Sequence, residues 1–160
     1  MVRTMDGNDL KILNILQEDA RTSNAEVARV LDMAPSAILE RIRKLEERGV
    51  IRGYAARIDP VALERRLLAF VFVTTEASLH DEEVVHAVER FPEVLEVHDV
   101  AGEDSYLLKV RVADNEELHR FLREKLARVK RVASTRTVFV LKSWKETSAL
   151  PIPSPRDGRE

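Results

Sequence analysis

The stretch SNAEVARVLDMAPSAILERIRKLEERG, residues 23–49, decides how the first part of the chain folds. Ser23, with Glu26 three residues later, has the form of a capping box and predicts the start of a short helix. Pro35 suits the first position of a second helix, and Gly49 suits the end of that helix. The few residues between them predict a tight turn, so the stretch indicates a helix, a turn and a helix.

The second of these helices has one apolar and one polar face. Ile38, Ile42 and Leu45 recur at the spacing of a core-facing helix. The opposite face starts with short side chains, which allow close approach to a DNA groove, and its later cations can reach phosphates or guanine. This geometry is typical of a helix that enters the major groove. The candidate DNA-binding residues are Pro35, Ser36, Ala37, Glu40, Arg41, Arg43, Lys44 and Arg52.

The flanking residues complete a small domain. Asp6 can cap a first helix that continues to about Asp19. Residues 50–59 alternate weakly, which predicts a strand and suits the wing of a winged helix. A plain three-helix bundle has the same amphipathic pattern, so the pattern alone leaves both interpretations open.

Positive charge is concentrated beside the second helix, although the whole chain has a net charge of −2. Residues 41–57 contain six basic and two acidic residues, whereas residues 59–160 contain 16 basic and 19 acidic residues. A local basic segment beside an acidic remainder fits DNA contact by one small domain. The same segment is equally well described as a solvated helix face with ion pairs four residues apart.

The composition excludes several kinds of site. The 160 residues include no cysteine, which excludes disulfides and thiolate zinc sites. No apolar stretch has the length of a membrane span, and the N-terminus has no apolar signal core. We therefore expect a cytoplasmic protein without a membrane partner, a metal or another cofactor.

The rest of the chain predicts a second, mixed domain. Residues 67–77 form an almost continuous apolar run, which is typical of a strand buried on both faces. The later predicted elements are a helix at 80–91, strands at 94–101 and 105–113, a helix at 114–128 and a strand at 132–145. The order βαββαβ is that of a ferredoxin-like fold, so the fold class is α+β. Helices cover one face of its sheet, and a second subunit is the economical cover for the other.

Four segments follow from these elements. Residues 1–58 form the predicted winged helix-turn-helix domain, and residues 59–66 form a linker. Residues 67–145 form the ferredoxin-like domain. Residues 146–160 are rich in proline and polar side chains, which predicts a flexible tail.

The first 60 residues carry a family resemblance. The run DGNDLKILNILQEDARTSNAEVARVLDMAPSAILERIRKLEERGVIRGYAARIDP resembles the N-terminal domain of the Lrp/AsnC (leucine-responsive, feast/famine) regulators. The stretches AGEDSYLLKVRV and STRTVFVLK resemble the effector loop and the last strand of the same family. The resemblance covers about residues 6–145.

This resemblance implies a transcriptional regulator that binds double-stranded DNA. It implies homodimers, which commonly assemble to octamers, and an amino-acid effector held at a subunit interface. The effector-binding residues implied are Gly102, Glu103, Asp104, Ser105, Tyr106, Thr135 and Thr137. Three positions depart from the usual pattern, since many relatives have serine at Ala34, aspartate at Ser105 and glycine at Arg66.

Two other functions are compatible with parts of the same sequence. Some porphyrin-modifying decarboxylases resemble the family and carry a degenerate helix-turn-helix, but they need histidine and arginine around a large cavity. The histidines here show no metal-ligand or catalytic spacing, so we expect no enzyme; they are His80, His86, His98 and His119. The other alternative binds DNA with little sequence preference, which the mixed-sign face with Glu40 and Glu47 disfavours.

Overall fold

The chain divides into two compact units. The computed structural model describes residues 5–76 and 81–153. The first unit contains the described residues up to Ala56 together with those from Glu146 onward. The second unit is Arg57–Lys145. The predicted linker therefore lies within the second unit, and the described part of the predicted tail belongs to the first.

The first unit contains three helices around a small core. They are α1 (Gly7–Glu18), α2 (Asn24–Leu31) and α3 (Pro35–Glu47). Six buried side chains from all three helices form this core, and they are Ile12, Val27, Ala28, Ile38, Ile42 and Leu45. The predicted inward face of α3 is thereby confirmed. Partly buried apolar side chains such as Leu13 and Leu16 pack around this core, whereas the polar face of α3 is exposed.

The ends of these helices follow the predicted signals. Asp6 and Asp9 form a capping box at α1, with the Asp9 N–H donating to Asp6 Oδ1 at 2.9 Å. The Glu26 N–H donates to Ser23 Oγ at 3.2 Å, which caps α2. At α3, Ala34 has no side-chain cap, and its carbonyl oxygen accepts the first helical N–H groups instead.

Gly49 ends α3 as predicted. Its φ of +68° lies in the left-handed region that glycine adopts without strain. Its N–H donates to the carbonyl of Glu46, and that of Val50 donates to the carbonyl of Leu45. These two bonds form a Schellman motif, which satisfies the last carbonyl groups of the helix.

The expected strand at residues 50–59 is not formed within the described chain. A strand needs hydrogen bonds from a neighbour, and none of the described strands pairs with this segment. Tyr54 connects the segment to α3, because its hydroxyl donates to Glu46 Oε1 at 2.9 Å. Burial, followed by this hydrogen bond, raises the pKa of Tyr54 to about 12.

The second unit has the predicted βαββαβ order. Its strands are β1 (Leu67–Thr75), β2 (Val94–Asp99), β3 (Tyr106–Val112) and β4 (Val132–Phe139). They form one sheet in the order β2-β3-β1-β4, in which every neighbouring pair is antiparallel. The helices are α4 (Glu82–Val88) and α5 (Asn115–Arg120). His80, the predicted first residue of α4, and Ala77, the predicted last residue of β1, lie outside the described residues.

Helices pack against one face of this sheet and leave the other face partly exposed. On one face, Val71 and Val73 of β1 pack with Leu108 of β3 and with buried side chains of the helices, such as Phe121. The alternate residues of β1, including Phe72, lie on the other face and are only partly buried. That outer face also carries Val138, which is 44% exposed. The pattern explains why the sequence of β1 is apolar on both sides.

The second helix of this unit, α5, and its last strand, β4, are shorter than predicted. After α5, the helical path continues as one π-helical turn, Phe121–Lys125, and a 3-10 turn, Leu126–Arg128. Strand β4 ends at Phe139, and the Val140 N–H donates to the carbonyl of Leu68. Because β1 starts at Leu67, the residues beyond Val140 find no further partner along it. None of the helices in the described ranges is long and apolar enough to cross a bilayer.

Candidate DNA-binding face and effector loop

The outer face of α3 carries most of the predicted DNA-binding residues. Pro35 and Ser36 are exposed in its first turn, next to the half-buried Ala37. Glu40, Arg43 and Lys44 are exposed further along the same helix. Arg52 is exposed after the helix ends. The structure therefore provides a convex polar helix surface with small side chains at its N-terminal end, which is the shape that a major groove accepts.

Two ion pairs lie on this face. Arg43 Nε is 2.8 Å from Glu47 Oε1, and Lys44 Nζ is 3.2 Å from Glu40 Oε1. All four side chains are more than half exposed, so these pairs contribute little to stability. Glu47 raises the pKa of Arg43 through its hydrogen bond. Both cations can exchange a carboxylate partner for a DNA phosphate at small cost.

Arg41 has a different position from the other predicted DNA contacts. Its Nη1 lies 2.7 Å from Asp6 Oδ2 and 2.7 Å from Asp9 Oδ1. The guanidinium therefore binds the capping box of α1, and its side chain is only 29% exposed. The hydrogen bonds that Arg41 donates to both carboxylates raise the pKa of Arg41. The sequence predicts Arg41 as a DNA-binding residue, and in the structure its guanidinium connects α3 to the capping box of α1.

The predicted effector loop joins β2 to β3, and its middle is anchored. Gly102, with a φ of +152°, and Glu103 are exposed. Asp104 Oδ2 is 2.7 Å from Arg136 Nη2 of β4, and Asp104 Oδ1 is 3.3 Å from Thr74 Oγ1. The aspartate thus connects the loop to the end of β1 and to the middle of the neighbouring strand β4. Its exposed part before Asp104 remains available to a ligand.

Ser105 and Tyr106 face inward from this loop. Ser105 Oγ accepts from the Thr75 N–H at 3.3 Å and lies 3.1 Å from Thr75 Oγ1. The ring of Tyr106 is buried, and its hydroxyl accepts a hydrogen bond of 2.6 Å from the N–H of Asp81. Burial raises the pKa of Tyr106. In this structure both side chains stabilise the loop through these inward contacts.

Thr135 and Thr137 lie on β4, on the same side of the sheet. Thr135 pairs with Val73, which also pairs with Tyr106 on its other side. The structure therefore brings Thr135 to the end of the sheet where the loop lies. Thr137 pairs with Val71, one full alternation further from that end. The family resemblance implies both threonines as effector-binding residues. The strand register places Thr135 closer to the loop than Thr137.

Several groups that hold the loop were missed by the sequence analysis. Thr74 and Thr75 end the apolar strand β1 with two hydroxyls, and this change to polar residues was the signal available. Arg136 lies between the two selected threonines, and its guanidinium stacks 4.0 Å from the Phe72 ring centre. Asp81 is buried and pairs with Arg131 at 3.1 Å. Its role depends on distant residues, so local sequence gave no signal for it.

The described histidines have ordinary surface partners. His86 Nδ1 is 2.9 Å from Glu89, and His98 Nε2 is 3.1 Å from Glu96. His119 is exposed on α5, and His80 lies outside the described residues. Within residues 5–76 and 81–153, no group of three or more histidine, aspartate or glutamate side chains is placed to hold a metal ion.

Two family models match the chain. The model of the Lrp/AsnC ligand-binding domain matches residues 68–150, and a model of the winged helix-turn-helix DNA-binding domain matches residues 5–52. The matches cover the two units described above. The sheet topology agrees with the first match, and the capped helices agree with the second.

Characterised proteins are similar over almost the whole chain. An HTH-type transcriptional regulator of Pyrococcus horikoshii is 40% identical over 148 residues, covering 92% of this chain and 97% of the relative. The leucine-responsive regulatory protein of Escherichia coli is 39% identical over 152 residues, covering 94% and 93%.

Solved structures show the same architecture. A Neisseria meningitidis transcriptional regulator in complex with L-methionine has a TM-score of 0.86 at 35% identity, covering 92% of this chain and 97% of that one. The leucine response regulatory protein of Mycobacterium tuberculosis has a TM-score of 0.81 at 32% identity, covering 93% and 100%. The chain therefore belongs to the Lrp/AsnC family of transcriptional regulators, with a winged helix-turn-helix for DNA and a ligand-binding domain.

Proposed function

We propose that this regulator reads DNA through the outer face of α3 and responds to an amino acid, or a related small metabolite, bound beside the loop of residues 102–106. It acts as a cytoplasmic homodimer that assembles further, and it has no catalytic role. The observation that carries the proposal is the exposed polar face of α3, held on a core formed by all three helices. A dimer presents two such helices to two half-sites about one turn of DNA apart.

On the DNA face, Arg43, Lys44 and Arg52 bind phosphates and position the protein. Ser36 and Ala37 approach base edges, and Glu40 accepts a hydrogen bond from a cytosine amino group. Arg43→Ala and Lys44→Ala should therefore weaken binding to every sequence. Each lost phosphate contact should also lower the slope of log affinity against log salt by about 0.9.

The experiment starts with selection of bound genomic fragments, which supplies the operator. Fluorescence anisotropy with that operator and an unrelated duplex then gives affinities over a range of salt concentrations. Arg90→Ala is the matched control, since Arg90 is an exposed cation of the second unit. Wild-type salt slopes in both α3 variants would contradict the proposed face.

On the ligand side, the support is the anchored loop. Asp104 and Ser105 are fixed by contacts, while Gly102 and Glu103 remain exposed next to the sheet end that carries Thr135. A relative of the same fold was solved with L-methionine, and this supports an amino acid as the effector. An amino acid can change DNA affinity only if it binds one assembly better than another.

The ligand test is isothermal titration with the twenty common amino acids, followed by repetition of the DNA selection with any that binds. Thr135→Val removes one hydroxyl with little change of volume and should weaken effector binding. Ser143→Ala is the control, because Ser143 is exposed beyond the end of β4. Equal losses in the two variants, or no heat with any amino acid, would count against this site.

Assembly is the third part of the proposal. The outer sheet face carries incompletely buried apolar side chains such as Phe70, Phe72 and Val138, and a second copy of the chain is the partner that covers them most simply. A decarboxylase remains the competing function for this fold. Mixing the protein with a tetrapyrrole and recording absorbance spectra separates the two, since an enzyme of that kind must bind the pigment.

A further inference from the structure

The chain makes a specific contact between its C-terminal segment, residues 146–153, and the first helix of the DNA-binding unit. Gln17 Nε2 donates to the carbonyl oxygen of Leu150 at 2.9 Å, and the Leu150 N–H donates to Gln17 Oε1 at 2.8 Å. One side-chain amide thus satisfies both main-chain groups of a single residue, as a residue of a neighbouring β-strand does. The Leu150 side chain is 73% exposed, so α1 recognises its backbone.

The sequence of this segment restricts its conformation before it binds. Pro151 disfavours the helical conformation at the residue that precedes it, Leu150. The Ala149 N–H donates to Thr147 Oγ1 at 3.1 Å, which fixes the turn just before the contact. Ile152 is half-buried between two exposed prolines. A segment that is already restricted loses less entropy when it docks.

The connectivity of the chain favours docking as well. The chain passes from the first unit to the second at residues 56–57 and returns at residues 145–146. The segment is therefore tethered to the first unit through the second, so its docking is intramolecular and does not depend on protein concentration. Exposed hydrogen bonds contribute only about 1 kcal/mol each, so the docked state exchanges with a released one.

We propose that residues 146–153 are a tethered, reversible peptide ligand of α1. The surface around Gln17 is a binding site for an extended backbone followed by proline. Its occupant is this chain's own C-terminal segment, and docking stabilises the DNA-binding unit. This site is separate from the outer face of α3 and from the effector loop, so it adds a third functional surface to the molecule.

Hydrogen exchange of the full-length protein tests the contact with two matched pairs of variants. Gln17→Ala removes both hydrogen bonds, whereas Glu18→Ala changes the next exposed residue of the same helix. Leu150→Pro removes the donor N–H, whereas Leu150→Ala keeps both main-chain groups. We expect exchange in the segment to become about tenfold faster in the first member of each pair, which is the loss of about 1.4 kcal/mol.

We also expect the first unit to melt at a lower temperature in those two variants, and the two controls to resemble the wild type. Unchanged exchange in Gln17→Ala would overturn the proposal. So would a Leu150→Ala variant as fast as Leu150→Pro, because recognition would then depend on the side chain.

The absence of cysteine allows a direct test of which chain supplies the segment. A Glu18→Cys, Ala149→Cys protein, which keeps Gln17 and Leu150, should give a cross-link within one chain when treated with a short bifunctional maleimide, seen by mass spectrometry. A cross-link between two chains would overturn the tethered arrangement, and so would the absence of any cross-link at these positions.

Discussion

At the scale of single residues, Asp6 shows how one carboxylate can serve two neighbours. Oδ1 accepts from the Asp9 N–H, and Oδ2 binds Arg41. The hydrogen bond from Asp9 and the contact with Arg41 hold the pKa of Asp6 below its ordinary value of 3.8. A carboxylate with a lowered folded pKa stabilises the fold above its unfolded pKa, and this contribution is lost as the pH falls through the folded pKa.

Asp6→Asn should therefore reduce stability at neutral pH while leaving the helix cap in place, because asparagine caps as well as aspartate. Asp6 is 53% exposed, so we expect a loss of no more than about 1 kcal/mol at pH 7. The difference from wild type should vanish in acid, below the folded pKa. Native-state hydrogen exchange of α1, followed from neutral to acid pH, measures this difference in stability. If Glu18→Gln caused the same pH-dependent loss of stability, the loss would come from the overall charge of the protein and not from the contacts of Asp6.

At this scale, some features of the sites can be predicted from the sequence and others cannot. The capping signals of Asp6 and Ser23 and the inward face of α3 are local patterns, and the sequence showed them correctly. Arg41 looked like a DNA contact because its partners, 32 and 35 residues away, are visible only in three dimensions. The anchoring of Asp104 by Arg136 was hidden for the same reason.

At the scale of elements, the turn between α2 and α3 depends on one unusual backbone conformation. Asp32 ends α2 with φ 53° and ψ 51°, in the left-handed region. Residues other than glycine lose about 1–2 kcal/mol there, and the loss is smaller for aspartate than for alanine. By contrast Arg48, which ends α3, has an ordinary right-handed conformation with φ −83°.

Glycine should consequently have opposite effects at the two helix ends. We expect Asp32→Gly to keep or raise the free energy of unfolding and Asp32→Ala to lower it by about 1 kcal/mol. Arg48→Gly should be destabilising, since glycine there only adds freedom to the unfolded chain. Chemical denaturation, together with hydrogen exchange in α2 and α3, measures the free energy of unfolding of all three variants. A stabilising Arg48→Gly or a harmless Asp32→Ala would show that backbone conformation does not govern these ends.

The elements of the second unit were predictable in order and less so in length. The π-helical turn after α5 was missed because one π turn hardly alters the spacing of apolar side chains, so Leu118, Phe121 and Leu126 remain buried. Strand β4 was predicted too long because its apolar sequence continues past its pairing with β1. Strand length follows from the partner, which a single sequence does not reveal.

At the scale of the whole molecule, the outer sheet face is the feature that most requires a partner. Phe72 lies on it beneath the guanidinium of Arg136, which also holds Asp104 of the effector loop. Val138 pairs with Phe70 on the same face and is 44% exposed. A subunit that covers this face would therefore contact the residue that anchors the loop, and this provides a physical route from effector to assembly.

In the assembly proposed above, Val138→Asp should separate the subunits without unfolding the chain. An unpaired carboxylate buried in an apolar interface costs several kcal/mol, whereas on an open sheet face it costs little. We expect sedimentation equilibrium to show monomers for this variant, with an unchanged circular dichroism spectrum, and operator affinity to fall because two half-sites are no longer read together. Ala127→Asp adds the same charge at an exposed residue of the helical layer and should leave assembly intact. Dimers that persist in Val138→Asp, or separate equally in Ala127→Asp, would place the interface elsewhere.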